Sequence, residues 1–290
     1  MKILILNTDY DKFLSTHYGA HPELVGAGYE RQLQARIDTV FGMSDFYSRN
    51  FRALGHEAKE ISVNNIWQQT AWAREHGLPV SDPPSPFDTK SESYYLIQLK
   101  RRLRPLKSIL KPVARKLGFV RTMGSVERAI LLAQIEDFDP DVILDQDIEI
   151  VSGRLLHPVR RQNRKIVAQC GVDPPPDMDF GAFDYGVSLI PWVVDYFRRN
   201  GLSAERCHLG FEPSLLDHLG PAPNKDVSVS FVGSLVAIHG RRMVWLEEIA
   251  KKFDLNLWMP DSGSLPAGSR LRECYRGPAW GKDMYNVIRR

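Results

Sequence analysis

Two aspartates one residue apart stand in the middle of the chain. Asp145, Gln146 and Asp147 directly follow a short strand predicted over residues 141–144, of which 142–144 are apolar. Hard divalent cations prefer carboxylate oxygens, so the pair could bind a metal ion. A carboxylate at this place could also bind or deprotonate a hydroxyl group of a ligand, or cap the loop that follows. The residue types alone leave these roles open.

Asp147, Asp9 and His17 are the predicted catalytic residues, with Glu149 as a further candidate for a general base. Asp9 follows the first apolar run of the chain, Ile3–Leu6, as Asp147 follows a later one. A carboxylate or a neutral imidazole can accept a proton from a reacting hydroxyl group. The alternative for each of them is an ordinary surface residue.

A second group of residues has the types that bind phosphate. Gly233 and Ser234 form a predicted turn after a strand, and His239, Arg241 and Arg242 open the helix that follows. Glycine allows a phosphate to approach the backbone, the N–H groups of a helix start favour anions, and arginine binds phosphate as a fork. An ordinary solvated helix start is the alternative.

Residues 100–121 contain nine Lys or Arg residues and no acid, with apolar residues interleaved. Such a stretch could lie on an anionic membrane surface. It could equally pack its apolar face on the protein core. Binding of nucleic acid is not expected, because the neighbouring aromatic residues form no evident stacking platform.

Composition excludes several classes of protein. The formal net charge of +3 does not indicate a nucleic-acid partner, and the three cysteines are too far apart for a disulfide framework or a zinc knuckle. The N-terminal apolar run is too short for a signal-peptide core, and no window approaches the length of a membrane span. The sequence therefore predicts a cytoplasmic protein, with peripheral contact at the inner membrane surface as an option for residues 100–121.

Short apolar runs alternate with helical periodicity along the chain. Strands are predicted over 3–6, 58–63, 141–144, 166–168, 185–190, 227–232 and 255–259. Helices are predicted over 29–54, 64–77, 192–200, 241–253 and 281–290, with Gly42 able to divide the first of them. This alternation predicts an α/β fold with doubly wound parallel sheets. The first strand is not followed by G-x-G-x-x-G, which disfavours a dinucleotide-dependent dehydrogenase.

The pattern divides the chain into two parts. Residues 213–226 contain glycine and three prolines with little periodicity and are predicted to be a linker. We expect a Rossmann-like domain over 1–212 and a second one beginning at 227. Only about 65 residues follow the linker, fewer than the 100–150 of an ordinary α/β domain. This part either packs onto the first domain as an appendage or is the start of an incomplete second domain over 227–290, and we expect the second.

Five segments together resemble one family. They occur in order at 41–58 (FGMSDFYSRNFRALGHEA), 189–202 (LIPWVVDYFRRNGL), 208–216 (HLGFEPSLL), 229–258 (VSFVGSLVAIHGRRMVWLEEIAKKFDLNLW) and 275–288 (YRGPAWGKDMYNVI). In their residues and their order along the chain, these segments are similar to the CgeB-type, spore-maturation-like glycosyltransferases. The resemblance runs along the whole chain.

The resemblance implies a GT-B fold, in which two facing Rossmann-like domains bind the acceptor on the first domain and a nucleotide-sugar donor on the second. It implies sugar transfer without a metal or other cofactor, with the donor as co-substrate. Many GT-B enzymes have Arg and Lys in the turn where this chain has Ser234 and His239. Three functions stay open: a metal-independent GT-B transferase acting on an unknown acceptor (a cell-envelope component or a polysaccharide), a donor-incompetent homologue that binds a glycan or a partner, and a metal-dependent GT-A-like transferase that uses Asp145 and Asp147.

Overall fold

A computed structural model describes residues 1–86, 123–175, 178–235 and 241–290. The basic stretch 100–121 and His239 lie outside these residues. Their predicted roles in membrane contact and phosphate binding therefore remain sequence predictions.

The larger sheet has six parallel strands in the order β2-β1-β3-β4-β5-β6. Together with its flanking helices it forms a Rossmann-like α/β fold, as the sequence predicts. The strands are β1 (Lys2–Asn7), β2 (Glu57–Ser62), β3 (Val142–Asp145), β4 (Lys165–Gln169), β5 (Tyr185–Ser188) and β6 (Ala204–Arg206).

The helices follow the strands as a doubly wound sheet requires. In the described residues they are α1 (Asp11–Ala20), α2 (Tyr29–Asp38), α3 (Phe46–Ala53), α4 (Ile66–Glu75), α5 (Ser125–Phe138), α6 (Gly153–Leu156), α7 (Pro191–Arg199), α8 (Leu215–Leu219), α9 (Arg242–Lys252) and α10 (Lys282–Arg289). Single 3₁₀ turns occupy Pro22–Leu24, His157–Val159, Phe180–Ala182 and Arg270–Arg272.

Alternation of side chains along β1 produces two apolar layers. Leu4 and Leu6 join a core with residues of α5 and α7, and Ile3 and Ile5 belong to a separate cluster against which Phe51 of α3 packs. Successive residues of a strand point to opposite faces, and a parallel sheet is covered on both. This explains why the first strand is an unbroken apolar run.

The strand order changes direction between β1 and β3. The chain leaves β1 to form β2 on one side, and later forms β3 on the other side of β1. At such a switch point the two connecting loops diverge and leave a crevice at the carboxyl ends of the strands, where open α/β sheets bind their ligands. Asn7 and Asp145 end the two strands that border this crevice.

A second, two-stranded parallel sheet pairs β7 (Val229–Val232) with β8 (Leu255–Trp258). Its core is separate from that of the first sheet and includes Leu246 of α9, Leu257 and Leu271. Tyr275 adds a parallel bridge to Leu257.

Trp280 and Gly281 attach this C-terminal part to the N-terminal part of the chain. The indole of Trp280 lies 4.9 Å from the ring of Phe41 and 5.9 Å from that of Phe13, measured between centroids. The amide of Lys282 donates to the carbonyl oxygen of Thr39 at 3.0 Å. These contacts join α10 to the loop between α2 and α3.

The helix predicted over 29–54 is divided into α2 and α3. Val40, Gly42 and Ser44 all have positive φ in the intervening loop, which the sequence signalled only through Gly42. The predicted linker contains α8, whose Leu215 is buried. Helix α1 was not predicted, although Phe13, Leu14 and Tyr18 share a buried face at helical spacing.

No helix in the described ranges has the length and apolar character needed to cross a membrane. The three cysteines are free; Cys170 is buried and Cys207 exposed.

Gly281 is the position at which a side chain would most directly disturb the attachment of α10. Its φ is +51°, and a Cβ atom there would lie 1.9 Å from the carbonyl oxygen of Thr39. We expect Gly281→Ala to lower the free energy of unfolding, measured by urea denaturation, by clearly more than the roughly 1–3 kcal/mol of an unfavourable backbone conformation alone, because φ +51° with ψ −122° is strained for alanine and its Cβ would also clash. Gly55→Ala is the matched control, because Gly55 has φ +85° and open space around its Cβ direction. Equal losses in the two variants would contradict a close contact at Gly281.

Candidate functional site

A cleft of about 520 Å³ opens at the carboxyl ends of the larger sheet. We call it the switch-point cleft. Its walls are the segments that follow β1, β3, β4 and β5, together with the loop between α2 and α3; they include residues 7–10, 41–43, 146–149 and 169–173. Its position is the one at which doubly wound sheets bind ligands.

A larger cavity of about 720 Å³ lies along the body of β2 and includes residues 57–61 and Trp72 in its lining. No segment that follows the carboxyl end of a described strand lines it. Position in the sheet therefore favours the smaller cleft as the candidate site.

Asp147 lines the switch-point cleft and is held by its neighbours. Its Oδ2 accepts a hydrogen bond from the hydroxyl group of Thr8 at 2.7 Å. Its Oδ1 accepts from the backbone N–H groups of Glu149 and Ile150 at 3.3 and 3.2 Å. These bonds fix the rotamer of a half-buried carboxylate at the cleft wall, as a group that accepts a proton from a bound hydroxyl requires.

Asp145 does not face the cleft in the same way. Its side chain is fully buried, and its Oδ1 accepts from the backbone N–H of Asp147 at 3.0 Å. Burial raises the pKa of the Asp145 carboxyl well above its ordinary value, with the Asp147 charge adding to the effect. A fully buried carboxyl that caps a turn is not arranged as one half of a metal-binding pair. The geometry thus favours the loop-capping role for Asp145 and leaves Asp147 as the member of the pair that a ligand can reach.

Asp9 is engaged in a buried ion pair. Arg36 donates to its two carboxylate oxygens, each at 2.8 Å, and the hydroxyl group of Ser62 donates at 2.5 Å. Burial would lower the pKa of Arg36, but Asp9 more than offsets this and the pKa is raised. Unlike Asp147, Asp9 is buried and both of its oxygens are held by one guanidinium group, an arrangement that favours a structural role over proton transfer.

His17 lies in α1 and is not among the described residues that line the switch-point cleft. It stacks on Phe13, and its buried Nε2 has no hydrogen-bond partner in the described part of the chain. Burial, with the nearby His21 as a second cause, lowers the pKa of His17 to about 4. The imidazole is therefore neutral near pH 7.

The predicted phosphate-binding residues lie at the turn after β7. Arg242 donates from Nη1 to the carbonyl oxygen of Ser234 at 2.9 Å and lies over the ring of Phe231 at 5.6 Å. Arg241 is exposed at the start of α9, and its side chain has no partner among the residues that the structure describes. The amide of Gly233 bonds to the carbonyl oxygen of Trp258. Of these residues, Arg241 has the side chain that a ligand could use.

Several residues of the cleft were not singled out from the sequence. Thr8 orients Asp147. The side chain of Gln146 donates to that of Gln169 at 3.0 Å, and Asp173 adds a carboxylate to the lining. All four follow or end a parallel strand. The carboxyl-end rule, applied to β1 and β4 as well as to β3, would have identified them.

No protein-family model matches the chain, and no curated protein matches it either.

Two buried groups with opposite pKa shifts give a test of this electrostatic arrangement. Burial raises the pKa of Glu60, near the Arg36 ion pair, to about 7 from 4.5, whereas that of His17 falls from 6.5 to about 4. Between pH 4.5 and 7 the folded state binds more protons at Glu60, so this residue makes stability fall as pH rises. At His17 the unfolded state binds more protons between pH 4 and 6.5, so stability rises with pH.

As pH rises from 4.5 to 7, we expect the free energy of unfolding of Glu60→Gln to increase relative to that of the parent protein, by up to about 3 kcal/mol. As pH rises from 4 to 6.5, the free energy of unfolding of His17→Gln should decrease relative to that of the parent protein. Urea unfolding of the three proteins at several pH values measures both differences. Parallel pH profiles for the two variants would contradict the assigned shifts.

Proposed function

We propose that this protein is a glycosyltransferase of the GT-B kind, which transfers a sugar from a nucleotide-sugar donor to a hydroxyl group bound in the switch-point cleft. The observation that carries the proposal is Asp147, a carboxylate held by Thr8 at the wall of a cleft at the sheet's switch point. The family resemblance and the second parallel β-α-β unit support it.

Asp147 would act as the proton acceptor in an inverting transfer. The acceptor hydroxyl group donates a hydrogen bond to Asp147, and its oxygen attacks the anomeric carbon of the donor. A new carbon–oxygen bond forms while the bond from the anomeric carbon to the diphosphate oxygen breaks. The proton passes to Asp147 and the nucleoside diphosphate leaves with the electron pair.

The leaving diphosphate needs positive charge or N–H groups close to it. In the described part of the second unit, Arg241 and the start of α9 meet this requirement, since α9 begins beside the turn that follows β7. Trp280 also supports a functional link between the two units, because its indole lies 6.3 Å from the ring of Tyr10 at the cleft.

A glycan-binding homologue without transferase activity is the second candidate. The observation in its favour concerns Arg242. Its guanidinium donates to the Ser234 carbonyl oxygen and lies over the Phe231 ring, so one of the two predicted phosphate-binding arginines has a structural role instead of binding phosphate. Binding of a nucleoside diphosphate separates the two candidates.

The two arginines offer a matched pair for that measurement. We expect nucleoside diphosphates to raise the melting temperature of the parent protein, because a ligand that binds only the native state stabilises it. Arg241→Gln should reduce this rise while leaving the ligand-free melting temperature unchanged. Arg242→Gln should instead lower the ligand-free melting temperature, because the Ser234 carbonyl loses its partner. A parent protein that no nucleoside diphosphate stabilises would favour the glycan-binding homologue.

Asp147 and Asp145 form a second matched pair. We expect Asp147→Asn to lower the rate of sugar transfer by about 10²–10⁴-fold, with diphosphate binding retained, because the proton acceptor is lost. Asp145→Asn should retain activity within a few-fold, since the amide has the shape of the buried carboxyl group and its oxygen can still accept the backbone N–H of Asp147.

Transfer assays with and without a chelator complete this comparison. Equal loss in both variants, together with loss on chelation, would contradict the GT-B proposal and support the metal-dependent GT-A-like alternative.

A further inference from the structure

Exposed apolar side chains lie together around the opening of the switch-point cleft. In the described residues, fifteen large apolar side chains are exposed to solvent. Five of them line this one cleft, with 37% to 70% of their surface exposed: Tyr10, Met43, Val172, Leu189 and Leu209. None of the described residues that line the larger cavity along β2 belongs to this group. Single exposed apolar residues are ordinary on a protein surface, whereas several that share one concave surface mark a binding site.

We call these five side chains the apolar mouth. Four of them lie on segments that follow the carboxyl ends of β1, β4, β5 and β6, and Met43 lies in the loop between α2 and α3. The ring of Tyr10 packs 5.9 Å from that of Phe41, and the carbonyl oxygen of Val172 accepts the thiol of Cys170 at 3.2 Å. The apolar surface therefore belongs to anchored segments and is present before a ligand binds.

The polar side chains of the cleft lie deeper than the apolar mouth. Asn7 is buried, and Thr8, Gln146 and Asp147 are half-buried. Thr8 holds Asp147, and Gln146 donates to Gln169 while its own buried Oε1 has no partner among the described residues. A ligand in the cleft thus meets hydrogen-bonding groups at one end and apolar surface at the other.

From this gradient of polarity we infer that the switch-point cleft binds an amphiphilic acceptor. Its hydroxyl-bearing head group lies against Asp147, and its aliphatic chain lies along the apolar mouth. Four of the five side chains of the mouth are not aromatic, which favours a chain over an aromatic ring, because rings gain from packing on other rings. The inference rests on the proposed glycosyl transfer and names the chemical class of its acceptor.

Burial of the chain supplies the gain in affinity. Covering one methylene group completely is worth about a fourfold gain, and covering half of it about twofold. The apolar mouth is open on its outer side, so the smaller value applies to a bound chain. Val172 and Leu209, with 61% and 56% of their surface exposed, offer aliphatic surface for this contact.

Saturation-transfer NMR on the full chain tests this inference without a donor. The probes are methyl, butyl, hexyl and octyl β-glucosides, each kept below the concentration at which it forms micelles. We expect the affinity to rise by about twofold for each methylene, so that octyl glucoside binds roughly tenfold or more tightly than butyl glucoside. The head group is the same throughout, so the increase reports on the chain alone.

Two double variants match each other in residue type. Val172→Ser/Leu209→Ser removes apolar surface from the mouth and should reduce the octyl-to-butyl affinity ratio by about threefold or more. Val126→Ser/Leu216→Ser removes a similarly exposed valine and leucine outside the cleft lining and should leave the ratio unchanged. Asp147→Asn should weaken all four probes by a similar factor, because it changes only the contact with the head group.

An affinity that does not depend on chain length would overturn the inference. An equal change of the ratio in the two double variants would overturn it too, because the chain would then adsorb to apolar surface in general. Tighter binding of phenyl glucoside than of hexyl glucoside would contradict the aliphatic chain. Light scattering tests the remaining occupant: a dimer that only the mouth variant dissociates would assign the apolar mouth to a second copy of this chain.

Melting temperatures with nucleoside diphosphates, measured on the same protein, report separately on the proposed transfer. Diphosphate binding together with an affinity that is independent of chain length contradicts only the acceptor class. A dependence on chain length without diphosphate binding contradicts only the transfer.

Discussion

The buried ion pair between Arg36 and Asp9 is the interaction on which the candidate site depends. Arg36 uses two of its nitrogens on Asp9 and a third on the carbonyl oxygen of Ser44, 3.0 Å away. One side chain therefore fixes both the segment after β1 and the loop between α2 and α3, which are two walls of the switch-point cleft. Removing one partner of such a buried pair typically costs about 3–5 kcal/mol, because the other charge stays buried. Thr8, which orients Asp147, is the residue before Asp9.

The loop between α2 and α3 also contacts the C-terminal part of the chain. Phe41 of this loop lines the cleft and contacts Trp280, and Thr39 accepts the amide of Lys282. The proposed acceptor cleft and the proposed donor-side unit thus share one loop, whose residues with positive φ allow little rearrangement without strain. For a transfer between two bound substrates, a shared wall of this kind fixes the distance between them.

The sequence was sufficient to predict the doubly wound sheet, because buried parallel strands such as Ile3–Leu6 are unbroken apolar runs. It also placed Asp147 at a strand end, and the structure puts it at the cleft wall. The burial and hydrogen-bond partners of Asp145, Asp9 and His17 could not be predicted from the sequence pattern. Asp9 and Arg36 are 27 residues apart, and only the tertiary fold, in which α2 packs against α4, makes them partners. The split between α2 and α3 likewise depends on Val40 and Ser44, which do not favour positive φ by themselves.

The central claim is that a hydroxyl-bearing sugar binds against Asp147. An epoxypropyl glycoside, which esterifies a carboxylate that lies beside its bound sugar, tests this claim most directly when the labelled protein is digested and the peptides are sequenced by mass spectrometry. The account predicts an ester on Asp147 that excess neutral methyl glycoside suppresses. Labelling confined to acids beside β2, such as Glu57 and Glu75, with Asp147 unmodified, would contradict it.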